Sequence, residues 1–416
     1  MNKQKLQTLK GFRDFLPADA KKRQFTIETI KQTFELFGFE PLETPALEYQ
    51  EVLLGKYGEE ADKLVYTFKD KGRREVALRY DQTVPTARVL ATYQQRLAMP
   101  FRRYQTQPVW RAERPQKGRF REILQCDADI YGSASPLADT EIISLANSVF
   151  KNLGFQNFSI FINDRKILFE LMNYSSIPEN LHLQVISEID KLDRKDKEEV
   201  TIELTNLGLS QKTINHLFQH LETSKPTENI EKITEYAKLM GVEKDKLKFQ
   251  ARLARGLDYY TSTIFEIKID EYKGGSVAGG GRYDNLIEKL SGNSIPAVGI
   301  AFGIDRIIEA MQEIKLFSQE EKRLGSLITI FNPELIPRSL RVARILRQAK
   351  IPCEIFVDQT KDLKKQLKYA DKKGIKWLIV IGPDEAKNAS VILKDLETGY
   401  QESIKLNDLI RYLLKR

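Results

Sequence analysis

Val109-Trp110-Arg111-Ala112-Glu113-Arg114-Pro115-Gln116-Lys117-Gly118-Arg119-Phe120-Arg121-Glu122-Ile123-Leu124-Gln125-Cys126-Asp127-Ala128-Asp129-Ile130-Tyr131-Gly132 decides the reading of this 416-residue chain. Ahead of the turn signal from Pro115 to Gly118 stands Arg111-x-Glu113. Behind it, an alternating run puts Gln125, Asp127 and Asp129 on one face of a strand. The pattern predicts a β-hairpin with a basic loop. Its two strands would aim a guanidinium, an amide and carboxylates into one cleft, equipment for an anionic substrate held beside a small cationic or hydrogen-bonding one. The plainer alternative is a hairpin whose polar face is merely solvated.

Upstream, residues 8 to 17 (Thr-Leu-Lys-Gly-Phe-Arg-Asp-Phe-Leu-Pro) lead into apolar residues at three- and four-residue steps from about 19 to 37, which predicts a helix. Gly38-Phe39-Glu40-Pro41-Leu42-Glu43-Thr44-Pro45 then stops it and continues as an extended segment whose two prolines suit an edge strand. Residues 76 to 92 predict a short strand turning into a helix, with Asp81 or Thr83 as N-cap and Pro85 in the first turn.

Downstream, 134 to 153 predicts an amphipathic helix closed by Gly154, and 158 to 163 a strand. From about 167 to 248 the chain is helix-rich, highly charged and short of glycine. Arg255-Gly256-Leu257-Asp258-Tyr259-Tyr260-Thr261 is rarer than a strand edge with a buried ion pair would predict. Val277-Ala278-Gly279-Gly280-Gly281-Arg282-Tyr283-Asp284 has the glycines of a tight turn or close strand crossing. Residues 297 to 306 predict a glycine-bearing strand entering a helix, with Arg306 in its first turn. After a linker near 317 to 325, alternating strands and helices predict a small α/β domain.

The length suits two or three domains, each with its own core. Formal charge is +8, of which +7 falls from Gly325 onward. A polyanionic partner, a nucleic acid above all, would therefore sit on the last domain. Cys126 and Cys353 lie far apart without a Cys-x-x-Cys, which argues against a disulfide scaffold and a zinc site and fits a reducing cytosol. His216 and His220 share a helical face with no third ligand nearby, so a solvated face is expected there and no protein-bound metal. With no long apolar stretch and no cleavable N-terminal signal in view, a cytoplasmic enzyme is expected.

The opening stretch resembles motif 2 of the class II aminoacyl-tRNA synthetases, and its wording resembles the histidyl-tRNA synthetases in particular. Gly38 to Pro45 is similar to motif 1, which implies a symmetric homodimer, and 297 to 306 resembles motif 3. The Arg255 to Tyr260 run and the glycines before Arg282 resemble the two histidine-specific segments. The implied fold is α+β: a catalytic domain over 1–320, built on a six-stranded antiparallel sheet with flanking helices and a helical insertion at about 167–248, then an α/β anticodon-binding domain over 326–416.

The resemblance implies activation of L-histidine by ATP to histidyl-adenylate and pyrophosphate, then transfer to the 3′ end of tRNA(His). Arg111 and Arg255 would be catalytic, holding the α-phosphate and the histidine carboxylate from opposite sides. Asp81, Thr83 and Gln125 would take the α-amino group, and Asp129 with Tyr260 and Tyr259 the imidazole. Glu113 would accept from adenine, with Arg121 and Arg306 on phosphates; Arg114, Gln116 and Lys117 would touch the acceptor end of tRNA. Mg2+ would accompany ATP. The family commonly has leucine where this chain has Gln82, and the sequence assigns that residue no role. Weighed against this reading are a non-catalytic regulatory paralogue from histidine biosynthesis and a basic RNA-binding protein without catalysis.

Overall fold

A computed structural model describes residues 6–55, 62–114, 120–254, 259–317, 325–358 and 362–414. The chain divides into two compact units, Met1–Phe317 and Ser318–Arg416. In the first, the opening helix Pro17–Leu36 has proline in its first turn, where the missing N–H costs nothing, and buries Thr26, Ile30, Thr33 and Phe34 along one stripe. Gly38 follows at φ +72°, a conformation glycine adopts without strain.

The strands of this unit are β1 (Glu40–Pro41), β2 (Leu47–Tyr49), β3 (Thr67–Lys69), β4 (Glu75–Leu78), β5 (Phe101–Trp110), β6 (Glu122–Tyr131), β7 (Phe158–Asp164), β8 (Leu247–Phe249), β9 (Thr263–Ile269), β10 (Ala278–Arg282) and β11 (Ala297–Gly303). The main sheet has eight of them, in the order β1-β5-β6-β11-β10-β9-β7-β8. This corrects the expected six-stranded antiparallel sheet. The inner strands from β5 to β7 are antiparallel neighbours throughout, but β1 joins β5 and β8 joins β7 in parallel, so the sheet is mixed. Strands of two and three residues carry too little alternation to register as a pattern. β1 also contains Pro41, which can stand at a sheet edge because it lacks only the N–H a ladder would use.

The sheet's two faces differ in kind. Cys126, Ala128 and Ile130 of β6, with Val298, Ile300 and Phe302 of β11, turn into the main core beside Ile30, Phe34, Ile142 and Phe150. Each large apolar side chain buried there contributes roughly 1.5 to 3 kcal/mol. The helix Pro136–Asn152 covers this face, its N-cap Ser135 accepting from the Leu137 N–H. The opposite face carries Gln125, Asp127 and Asp129.

Between β7 and β8 the helices Arg165–Tyr174, His182–Asp190, Lys197–Asn206 and Gln211–Thr223 close a core of their own around Leu171, Val185, Ile189, Leu204 and Leu217. His182 is buried with its ring Nε2 2.9 Å from the Ile177 carbonyl oxygen. His216 and His220 are exposed on Gln211–Thr223, and His220 stacks on Tyr174.

The second unit is a five-stranded sheet with β12 (Ser326–Ile328), β13 (Cys353–Ile355), β14 (Trp377–Val380), β15 (Ser390–Asp395) and β16 (Gln401–Lys405) in the order β13-β12-β14-β15-β16. Lys364, Lys365 and Lys368 stand exposed on the helix Leu363–Lys373, while Gln366 of the same helix is buried and its side-chain amide pairs with both the N–H and the carbonyl of Ile330. Glutamine thus fixes the helix to the sheet and leaves the lysines outward. Among the described residues, no helix is long and apolar enough to cross a membrane.

Candidate active site

The β5–β6 register builds the floor of the cleft. Gln107 stands opposite Gln125, Gln105 opposite Asp127 and Arg103 opposite Asp129. Because side chains alternate, all six belong to one face. Arg103 is fully buried, with Nη2 2.7 Å from Asp129 Oδ2. The Tyr283 hydroxyl donates to the other oxygen of Asp129, and the Tyr131 hydroxyl lies 3.1 Å from that of Tyr283. Since Tyr283 has one proton and gives it to Asp129, Tyr131 must donate to Tyr283.

Burial pushes the Asp129 carboxyl up, and the Arg103 guanidinium and Tyr283 hydroxyl pull it back. Burial works against the charge on Arg103, and Asp129, Tyr131, Asp127 and Tyr283 together more than offset it, so the guanidinium stays protonated. A carboxylate oxygen has two lone-pair sites, so Asp129 keeps capacity for a substrate N–H even with both neighbours in place.

Glycine makes room for that carboxylate. Gly299 faces Asp129 across β6–β11, and a Cβ there would lie 1.7 Å from Asp129 Oδ1. One strand further, a Cβ on Gly281 would come within 2.5 Å of the Thr263 carbonyl oxygen and 3.0 Å of the Tyr260 ring. The Tyr259 and Tyr260 rings sit 4.6 Å apart and meet Tyr283 edge-on at 6.0 and 6.4 Å. Aromatic edges thus wall the end of the floor where Asp129 stands.

The segment before the helix Thr83–Tyr93 closes the other end. Asp81 Oδ1 accepts from the Val84 N–H at 3.1 Å, so it does cap the helix, and Thr83 is the first helical residue. Gln82 is fully buried; its Nε2 donates to the carbonyls of Gln107 at 2.8 Å and Gln125 at 3.1 Å. That residue therefore ties the turn to both strands of the hairpin. Arg79 is buried among the Thr44 and Pro108 carbonyls and the Gln107 amide oxygen, at 2.7 to 2.8 Å.

Arg111 is half-buried; its Nε donates to the Tyr80 carbonyl at 3.2 Å while the guanidinium lies 4.6 Å from the centre of the Tyr80 ring. The Glu113 carbonyl accepts from Arg121 Nε at 3.1 Å, which pulls the two ends of the hairpin loop together. Arg306, in the first turn of Ile304–Glu313, donates to the Ser276 carbonyl at 2.8 Å. It borders a cavity of about 760 Å³ also lined by Phe161, Glu266, Lys268 and Arg194. The register Asp127–Ala301–Gly279–Glu266–Phe161 puts that cavity on the cleft's own face of the sheet. Arg114 is exposed; Arg255, Gln116 and Lys117 lie outside the described residues.

Sequence reasoning missed Arg103, Tyr283 and the bonding of Gln82. The first had a signal: Arg103-x-Gln105-x-Gln107 repeats in β5 the alternation read only in β6. Among the described residues, no three His, Cys, Asp or Glu side chains gather closely enough to hold a metal ion.

An antiparallel sheet centre with helices on one face and this polar cleft on the other, followed by a separate small α/β unit, is the build of a class II aminoacyl-tRNA synthetase with an anticodon-binding domain. The histidyl-tRNA synthetase family matches residues 11–307 and the anticodon binding domain family residues 326–416. Histidine–tRNA ligases of Gloeobacter violaceus and Cytophaga hutchinsonii are 40% and 38% identical, over 96% and 97% of this chain and 97% and 98% of theirs. The crystal structure of histidyl-tRNA synthetase from Nostoc sp. PCC 7120 superposes with a TM-score of 0.87 at 29% identity over the full length of both chains. The chain belongs to the histidyl-tRNA synthetase family.

Proposed function

We infer that the protein is a histidine–tRNA ligase, which joins L-histidine to ATP as histidyl-adenylate, releases pyrophosphate, and passes the histidyl group to tRNA(His). The observation that carries this reading is the buried Arg103–Asp129–Tyr283 assembly at one end of the cleft, with Arg111 toward the other. An imidazole has two ring nitrogens to satisfy. A site built from paired hydrogen-bonding groups rejects amino acids that cannot use them, by about 10⁴-fold or more.

In the activation step, the histidine carboxylate attacks the α-phosphorus and pyrophosphate leaves. Two anions must approach, so the chemistry is charge neutralisation and positioning. Arg111 meets the α-phosphate and carboxylate, and Arg255 does so from the other side. Tyr80 stacking and the bond to its carbonyl hold Arg111 in place for this. Asp81, Thr83 and Gln125 take the α-ammonium group; Asp129, Tyr259 and Tyr260 take the imidazole. Glu113 accepts from adenine, and Arg121 and Arg306 hold phosphates, with Mg2+ arriving on ATP.

Arg114, Gln116 and Lys117 meet the acceptor end of the tRNA, and the basic last unit binds its anticodon arm. The protein works as a homodimer joined through the segment around Gly38 to Pro45, in the cytoplasm. Support for the last point is that Cys126 and Cys353 are both free thiols.

The test is pyrophosphate exchange into ATP with each proteinogenic amino acid in turn, without tRNA. Exchange stimulated by histidine alone is expected. Its absence with every amino acid, from folded and ATP-binding protein, would favour a regulatory or RNA-binding role.

A further inference from the structure

One buried group in the cleft has no task in this scheme. Asp127 sits between Gln125 and Asp129 on the same face of β6, is 3% exposed, and its Oδ1 has no hydrogen-bond partner among the described residues. The neighbouring Gln82 and Gln125 each present a buried Oε1 that is likewise unpartnered among the described residues. Gln82 Nε2 donates to the main-chain carbonyl of Gln125 at 3.1 Å, and Asp127 is the next residue of that face. Leaving a buried acceptor unpaired costs about 1 to 3 kcal/mol in general. Two orphaned amide oxygens on the face that carries this carboxyl call for a donor with several N–H groups, and an ammonium has three.

We propose that Asp127 is a substrate-positioning residue that accepts from the α-ammonium group of the bound amino acid beside Gln82 and Gln125, and that it gives up a proton to solvent when that group arrives. This rests on the histidine-activating reading of the cleft.

The surroundings argue for the proton. On its own strand Asp127 faces Gln125 and Asp129; from β5, Arg103 and Gln105; from β11, Ala301; from the turn, Asp81 and Gln82; and Arg79 and Arg111 complete the ring of charge. Arg103 is committed to Asp129, and Arg79 to backbone carbonyls and Gln107. Burial, with Asp129 and Asp81 adding to it, pushes the Asp127 carboxyl well above the ordinary aspartate range, against Arg103 and Arg111. In the free protein burial therefore favours its neutral form. A cation placed against Oδ1 reverses the balance: the O–H proton passes to buffer, the carboxylate accepts N–H⋯O, and the site gains one negative charge for one positive.

The experiment is calorimetric titration of the full-length protein with histidine at neutral pH, in buffers of different protonation enthalpy, for wild type and Asp127→Asn. Comparing the two proteins removes the contribution of histidine's own imidazole. The wild type is expected to release more protons per histidine than the variant, and the variant to raise KM for histidine about tenfold or more while leaving KM for ATP unchanged. Imidazolepropionate, which lacks the amino group, should bind both proteins equally. Equal proton release, or equal weakening of imidazolepropionate and histidine, overturns the proposal. Should Asp127→Asn fail to fold, wild type alone decides at a pH where both free ligands carry a neutral imidazole: histidinol, which keeps the ammonium, must release more protons than imidazolepropionate, and equal release overturns it. Failure of histidine to stimulate pyrophosphate exchange in wild type would instead refute the underlying reading.

Discussion

Arg103 places a guanidinium nitrogen 2.7 Å from Asp129 Oδ2 with both side chains buried, and the two are cross-strand partners in the β5–β6 ladder. A charge pair at that depth gains little net stability, because desolvating both ions cancels most of their attraction. Its value lies in opposing the effect of burial on the Asp129 carboxyl and in fixing that carboxyl where a substrate N–H is proposed to meet it.

Removing one member should expose the cost. Arg103→Met leaves an uncompensated buried carboxylate, and a loss of about 3 to 5 kcal/mol in unfolding free energy is expected from urea titration. Adding Asp129→Asn should recover a large part of it. A single variant losing under about 1 kcal/mol would mean the pair is not a coupled unit.

Asp129→Ala should impair histidine activation far more than ATP binding, since the contact proposed for the residue is with the amino acid. Tyr283→Phe removes the hydroxyl that donates to Asp129 and leaves the ring walls intact. A fall in kcat/KM for histidine of about ten- to a hundredfold is expected, the kinetic equivalent of losing one hydrogen bond to a charged group. The readout is pyrophosphate exchange at varied histidine and varied ATP. Equal effects on both substrates would count against the imidazole assignment.

Much of this site was legible in the chain. Gln125 and Asp129 come from a strand whose spacing survives as register, Arg111 and Glu113 follow directly on its partner strand, and Arg306 comes from a strand-to-helix junction marked by Gly303. The partner of Asp129 was not, because pairing across strands depends on how β5 and β6 align and a single alternating run does not give that. Nor were β1 and β8, too short to leave a period. Gln82 was conspicuous only as a departure from leucine; its meaning needed the two carbonyls it reaches.

Gln82→Leu tests that meaning. The substitution strips a donor from two strand carbonyls, and it also removes the unpartnered Oε1. Two lost partners outweigh one relieved acceptor, so a net destabilisation of about 1 to 2 kcal/mol is expected in urea unfolding, together with a higher KM for histidine. A variant as stable as wild type would mean that the turn is held by Asp81 and the helix alone.

Asp127 carries a stability signature that can be read without substrate. Its carboxyl titrates well above the ordinary aspartate value of 3.8 in the folded chain, chiefly through burial, so the folded state keeps a proton that the unfolded state has released. Stability then falls as pH rises from about the unfolded value toward the folded one, because the unfolded chain binds fewer protons across that window. Asp127→Asn lacks this term. Its stability relative to wild type should therefore shift in the variant's favour as pH rises through the window, then level off once the folded carboxyl has ionised. Denaturant unfolding at a series of pH values measures the difference, and a flat difference would show that Asp127 titrates normally. Saturating histidine should stabilise wild type more than the variant, since only the wild-type site can set a carboxylate against the ammonium.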